Sequence, residues 1–471
     1  MFTHYHPDSV RLTAELHDMF DDFSRGNWSA DSLESHQVLR IREVLSYVRT
    51  HSPFYRERLA GLTEQTIAGL RLDDLPRVPF TTKDDLRTAQ FDMLSLPVSE
   101  AWVFYETTGT TGVPTPCPRT ESDSIHNNTV LTSYYRDVFA AHGEKLVIGI
   151  SGPSELHATG DTFGDVCRDL GHAVAKMWPH SPVIGFDRAL EVMRLLPVNG
   201  LFCTPGMAMR LAEKATEAGL DPRTDFSLDV LMMTGELMSP SLLANIGSLW
   251  GAEARNALYA SQEASVLAAV TSDGALRTAP LINHYEVIDP DTGQAVRPDA
   301  DGARHGELVV TNLYTGAKPL IRYRTGDLVR MTDPEPGAAV PAPRLEALGR
   351  VRDRLDLNGR LVNGYDLENL LLRRFHGYQD YQITVTRDDS GQDLLALTLK
   401  ADPAHVRDDV EQAVEDCREV LGIPLTVGFG TPGPITSTGA MVSWKAARVV
   451  DLRARVSTEN RSAERIAATR T

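Results

Sequence analysis

Cysteine is scarce: the chain has four in 471 residues, Cys117, Cys167, Cys203 and Cys417. No two stand at C-x-x-C spacing, so neither a disulfide framework nor a cysteine zinc site is indicated. Positive charge is in deficit, with 47 Lys and Arg against 64 Asp and Glu and a net charge of −17. That argues against nucleic acid and anionic membrane as partners, because phosphate contact is driven by clustered Lys and Arg. A small anionic ligand stays open, since it answers to local charge. No apolar run approaches the ~20 residues of a membrane helix. The start, MFTHYHPDSVRLTAELHDMFDDF, has early acids and no signal-peptide core. These absences read as a cytoplasmic protein. What is present, 42 % apolar and 24 % charged residues, is ordinary for a globular chain and excludes disorder along its whole length.

Residues 1–100 read as mainly helical, with Val38, Ile41, Val44, Leu45 and Val48 at helical spacing. From Trp102 to about Tyr259, strand candidates (AWVFY, KLVIGIS, GLFCT, LDVLMMT, ARNALYA) alternate with helices over 187–196, 206–218 and 239–249. Alternation of this kind predicts an α/β core with a largely parallel sheet, whose ligands bind beyond the carboxyl ends of the strands. From Ala264 to Arg350 the chain turns β-rich, through LINHYEVIDPDTGQ, HGELVVTNL and KPLIRYRTGDLVRM. A small α+β unit follows, with helices in LENLLLRRF and PAHVRDDVEQAVEDCREVLG and a hairpin around Asp389–Gly391. The fold class is α/β: a large N-terminal α/β domain with a β-rich subdomain over 1–350 and a small α+β C-terminal domain over 351–454. Residues 455–471 form a polar tail, expected to be disordered.

The strongest local signal is YETTGTTGVPT at 105–115. Two glycines and four hydroxyls from Thr107 to Gly112 expose backbone N–H groups that can wrap phosphate oxygens. It is not a Walker A loop, since Pro114 and Pro116 block the helix that loop needs. The same argument, through Pro432 and Pro434, rejects GFGTPG at 428–433 as a dinucleotide site. Thr234-Gly235-Glu236 and YASQE at 259–263 both follow strands, where an α/β sheet exposes binding loops. Glu263 is a carboxylate able to hold Mg²⁺ beside triphosphate oxygens. In YRTGDL, Asp327 can accept two ribose hydroxyls, and Arg350 can fork onto phosphate or ribose oxygens. Lys445, in STGAMVSWKAARVVD, can stabilise developing phosphate charge. Taken singly, each has an ordinary reading as a turn or a solvated side chain.

Together and in this order the motifs resemble the AMP-forming adenylate-forming superfamily of acyl-CoA synthetases, peptide-synthetase adenylation domains and luciferases. VPFTTKDDLR, TTGTTGVPT, GELVVTNLYTGAKPLIRYRTGDL and VVDLR look like its phenylacetate–CoA ligase branch, over about Pro79 to Arg453. The resemblance implies a large domain holding ATP and an acid, and a mobile C-terminal domain that rotates between half-reactions. By motif position, Thr107, Thr108, Gly109, Thr110 and Thr111 would embrace the β- and γ-phosphates, with Gly112 closing the loop. Gly235 and Glu236 would flank adenine, Tyr259 would stack on it with Ala260 and Ser261 alongside, and Glu263 would ligate Mg²⁺. Asp327, helped by Arg350, would hold the ribose. Lys445 would bridge carboxylate and phosphate during adenylation.

The chain departs from the branch in four places. Val113 stands where the loop usually has Lys, so charge on pyrophosphate falls to Mg²⁺, backbone N–H groups and Lys445. Val351-Arg352-Asp353 replaces a hinge with paired acids. Trp444 precedes Lys445 where a Gly is usual. PGAAVPAPRLEALGR lacks the cysteines often found there, so no zinc is expected. The implied reaction is ATP-dependent adenylation of an aromatic or arylacetic acid, then transfer to CoA, a carrier protein or an amine. The segment AKMWPHSP offers Met177, Trp178 and His180 as walls of an aromatic pocket, or as ordinary packing. Alternatives are a diazotase that activates nitrite for an aromatic amine, an amide synthetase, and a nucleotide-binding regulator without catalysis.

Overall fold

The computed structural model describes residues 6–107, 113–401, 407–433 and 448–453. Five helices lead: α1 (Pro7–Ser24), α2 (Ala30–His51), α3 (Pro53–Arg58), α4 (Glu64–Gly69) and α5 (Lys83–Ala89). The antiparallel pair β1 (Val103–Glu106) and β2 (Pro116–Arg119) follows. Then come α6 (Glu121–Ala140), β3 (Val147–Ile150), α7 (Thr159–Asp169), β4 (Ala173–Lys176), α8 (Gly185–Leu195), β5 (Gly200–Cys203), α9 (Pro205–Glu217), β6 (Val230–Met233), α10 (Pro240–Trp250) and β7 (Glu253–Asn256). The last five strands form a parallel sheet in the order β4-β3-β5-β6-β7. Chain direction across the sheet reverses between β3 and β5, which opens a crevice at their carboxyl ends.

Seven antiparallel strands make the second sheet: β8 (Leu258–Ser261), β9 (Ser265–Val270), β10 (Leu276–Thr278), β11 (Asn283–Ile288), β12 (Ala303–Asn312), β13 (Tyr323–Thr332) and β14 (Arg344–Arg350). The expected single strand ARNALYA is therefore two. Buried Ala257 separates β7, which completes the parallel sheet, from β8, which begins the antiparallel one. KPLIRYRTGDLVRM is strand only from Tyr323, because Arg322 sits at φ +44°, outside the extended region. Its guanidinium donates to the Pro76 and Val78 carbonyls and pairs with Glu286.

The rest comprises the hairpin β15 (Leu355–Leu357) and β16 (Arg360–Val362), α11 (Gly364–Leu372), β17 (Asp380–Arg387), β18 (Asp393–Lys400), α12 (Arg407–Leu421), β19 (Leu425–Phe429) and β20 (Val449–Asp451). The sheet order is β19-β18-β17-β20. One core lies among α1–α7 and the antiparallel sheet. A second runs without interruption from the other face of the parallel sheet, through α8–α10, into α11 and β17–β19.

Local signals account for many boundaries. In α10, the Ser239 side chain accepts from the Leu242 N–H, Pro240 opens the first turn, and Gly251 at φ +63° ends it. Met177 is buried in the second core, and Trp178 packs against that core. None of Met177, Trp178 and His180 lines the two cavities described next.

Candidate active site

The loops leaving β3 and β6, the turn after β8 and strand β2 surround a cavity of about 120 Å³. Its walls include Arg119, Asn127, His157, Phe163, Thr234 and Ser261. Gly235 and Ala260 also face it; Gly235 takes φ +86°, which lets the chain turn sharply off β6. Ala260 and Ser261 arrive there because β8 and β9 slip register between Tyr259 and Ala260, and such a bulge re-aims side chains. Adjoining it through Arg119, Gln262 and Ser265 is a smaller cavity of about 20 Å³, whose lining also includes Asp123, Glu263 and Lys318.

Glu263 is buried, and Lys83 Nζ lies 3.2 Å from its Oε1. Burial pushes the carboxyl up, but the charges of Lys83 and Lys318 outweigh it and hold Glu263 below its ordinary value. Lys83 is the first residue of α5, whose Thr82 and Asp85 form a reciprocal cap. Thr81 ties this helix to β13: its N–H donates to the Arg322 carbonyl at 3.1 Å, and its own carbonyl accepts from Arg324 at 2.9 Å. The motif VPFTTKDDLR thus delivers a lysine to Glu263. Sequence reasoning gave Lys83 no role; its place directly after the Thr cap of a quoted motif was the available signal.

A second carboxylate, Asp327, stands on β13 opposite Arg350 of β14. The Tyr259 hydroxyl donates to Asp327 Oδ2 at 2.7 Å, and Arg350 Nε lies 3.7 Å from Oδ1. Burial raises the Asp327 carboxyl above its ordinary value, against the pull of Arg350 and the Tyr259 hydroxyl. Tyr259, Asp327 and Arg350 are thus brought together from β8, β13 and β14.

Thr107 braces the neck of the Thr/Gly loop: its Oγ1 accepts from the Thr115 N–H at 2.9 Å. Thr108, Gly109, Thr110, Thr111 and Gly112 lie outside the described residues, as do Lys445 and the tail 455–471. Glu236 points to the start of α9, where it accepts from the Gly206 N–H at 3.3 Å; it lines neither cavity. Buried Arg119 and Lys318 were not singled out in the sequence; both sit in or beside quoted motifs, but neither spacing nor composition marks a cation as buried.

No protein-family model matches the chain. It is 28 % identical to a phenylacetate–coenzyme A ligase of Pseudomonas putida over 385 residues, covering 80 % of this chain and 84 % of that one. It is 27 % identical to a phenylacetate–coenzyme A ligase of Thermus thermophilus over 460 residues, covering 90 % and 97 %. Among solved structures, 2-hydroxyisobutyryl-CoA ligase in its postadenylation state superposes with a TM-score of 0.75 at 24 % identity, covering 90 % of each chain. The same ligase in its thioesterification state gives a TM-score of 0.63. Fold and relatives together define an AMP-forming ligase of the adenylate-forming superfamily. Within that class, the chain is phenylacetate–CoA ligase-like.

Proposed function

We propose that the protein activates an aryl or arylacetic acid with ATP and passes the acyl group to the thiol of CoA. The observation that carries the reading is a pair of carboxylates, Glu263 buried and Asp327 half-buried, each set beside a cation. Glu263 lies beside Lys83, and Asp327 beside Tyr259 and Arg350. The relatives named phenylacetate–coenzyme A ligase support both the acid class and the thiol. The larger cavity, about 120 Å³ with Phe163 and Leu258 in its wall, is of the order that holds one aromatic ring.

In the first half-reaction a carboxylate oxygen of the acid attacks the α-phosphorus of ATP. The α–β phosphoanhydride bond breaks, and pyrophosphate leaves with the bonding electrons. In the second, the sulfur of CoA attacks the acyl carbon, the bond to AMP oxygen breaks, and the thiol proton passes to solvent. The protein supplies no nucleophile; it orients the oxygen in line and offsets charge. Asp327 accepts the ribose hydroxyls, with Arg350 beside it. Thr234 and Gly235, which line the larger cavity, stand between the ring and the base. The loop held at Thr107 takes the outer phosphates, and Lys445, carried by the C-terminal domain (351–454), bridges carboxylate and phosphate.

Glu263 is suited to hold Mg²⁺. Its Oε1 is buried, 3.2 Å from Lys83 Nζ, and the residue lines the smaller cavity. Among the described residues, no cluster of three or more His, Cys, Asp or Glu could hold a metal. A single carboxylate is what Mg²⁺ needs when substrate phosphates complete its shell. When bound, the ion neutralises phosphate charge.

The test is pyrophosphate release from ATP and Mg²⁺ across aryl acids, each with and without CoA. Release that needs an acid, with a thioester appearing on adding CoA, is the expected result. An amide formed with an added amine, or transfer to a carrier protein in place of CoA, would move the acceptor. Release that requires nitrite, with a diazonium product from an aromatic amine, would replace the acid altogether.

A further inference from the structure

Arg119 ends β2 and is only 7 % exposed. Buried guanidinium groups are almost always paired, because leaving water uncompensated is costly. Among the described residues no hydrogen bond or carboxylate within ion-pair distance meets this one. Its neighbour is the ring of Tyr105, with the centroid 5.2 Å from Arg119 Cζ. That ring is itself held: the Tyr105 hydroxyl donates to Asp161 Oδ2 at 3.1 Å, and Lys176 Nζ donates to Asp161 Oδ1 at 3.0 Å. The guanidinium faces both cavities.

A second buried cation stands nearby. Lys318 is 8 % exposed, and its Nζ donates to the Pro116 carbonyl at 2.7 Å and to Cys117 Sγ at 3.2 Å. It too has no carboxylate within ion-pair distance among the described residues. Two carboxylates border the smaller cavity, and both are committed. Asp123 Oδ2 accepts from Thr120 N, Thr120 Oγ1 and Ala317 N, and Glu263 pairs with Lys83. Tyr259, Asp327 and Arg350 line neither cavity, so Arg119 lies apart from the ribose end of the site.

We propose that Arg119, backed by Lys318, is a specificity-determining subsite for a second negative charge on the acid, so that the substrate is an aryl dicarboxylate. This rests on the acid-activating reading. The ring occupies the larger cavity, one carboxylate meets the α-phosphate, and the other pairs with the guanidinium, whose planar fork matches it. A mono-acid leaves Arg119 unpaired, and a site built for a polar partner rejects the analogue that lacks it.

The nucleotide's own phosphate is the other oxyanion source, and the arms of the test separate the two. Calorimetry measures ATP–Mg²⁺ affinity, then isophthalate and benzoate binding to the complex with α,β-methylene ATP. Pyrophosphate release is measured with ATP and the same two acids. Wild type is expected to favour isophthalate by roughly 10²-fold. Arg119→Met should keep ATP affinity and reverse the preference, while Arg119→Lys restores part of it. Lost ATP affinity in Arg119→Met would assign the residue to phosphate and overturn the proposal. So would a wild-type preference for benzoate, equal loss of both acids, or binding of neither. Preferential binding of isophthalate without pyrophosphate release would uphold the subsite and overturn acid activation instead.

Discussion

At the residue scale, the site sets two carboxylates against their surroundings in opposite directions. Glu263 is held low by two lysines although burial pushes it up, and Asp327 is raised because burial outweighs Arg350. If Glu263 acts as its anion, Lys83→Ala removes the nearest opposing charge and burial drives the carboxyl upward. The acid limb of the pH–rate profile for pyrophosphate release should then move to higher pH than in wild type. Lys83→Arg should restore it, and an unchanged limb would show that Glu263 ionisation does not govern the rate. Asp327→Ala should lower pyrophosphate release by about 10²-fold, because two charge-assisted hydrogen bonds to ribose contribute ~1.5 kcal/mol each. Its circular dichroism should match wild type; full activity would remove Asp327 from the nucleotide site.

At the scale of elements, α6 explains how a long helix escapes pattern reading. Most of its residues are buried, among them Ser124, His126, Asn127, Asn128, Thr129 and Thr132. A helix enclosed on nearly every side has no polar face, so its hydropathy carries no 3.6-residue period. Its polar groups find partners instead: Asn127 Oδ1 accepts from the Val266 N–H at 3.0 Å, and His126 stacks on Tyr314 with centroids 4.4 Å apart. Burial lowers the His126 imidazole to about 4, so it is neutral at pH 7. The helix start is fixed by the Thr120–Asp123 cap, against which Gly316 packs so closely that a Cβ would stand 1.7 Å from Asp123 Oδ1. Gly316→Ala should therefore destabilise the protein by roughly 1–3 kcal/mol, read as a lowered thermal midpoint. A neutral result would mean that the Asp123 cap yields without cost.

On the scale of the whole molecule, α11 is held against the start of α10 through a buried glutamate. Glu368 of α11 accepts from Ser239 N at 3.1 Å and Ser239 Oγ at 2.6 Å, and also from the Tyr381 hydroxyl. Asn245 of α10 spans the same junction, donating to the Tyr378 carbonyl at 2.9 Å. Burial raises the Glu368 carboxyl above its ordinary value, although Ser239, Tyr381 and Arg448 oppose it. A group raised in the folded state contributes stability that is present at low pH and fades as pH climbs through its folded value. This contact should weaken as pH rises beyond the ordinary glutamate range. Glu368→Gln, a neutral mimic, should flatten that dependence, read by proteolysis within 351–354 across pH; a parallel slope in both proteins would rule Glu368 out.

Part of the candidate site was legible in the sequence as a set of local motifs. Gly235, Ser261 and Glu263 lie in turns or strand ends beside short apolar runs, and Asp327 lies within β13; turn chemistry and strand alternation are local properties. The order of the motifs was enough to bring the superfamily into view. Tertiary structure alone decided the partners: that Tyr259 meets Asp327, that Lys83 meets Glu263, that Glu236 turns to α9, and that Met177 fills a core. It alone buried Arg119 and Lys318 together at the smaller cavity. A side chain's charge is written in the chain, but its desolvation and its neighbours arise only when strands distant in sequence pack against one another.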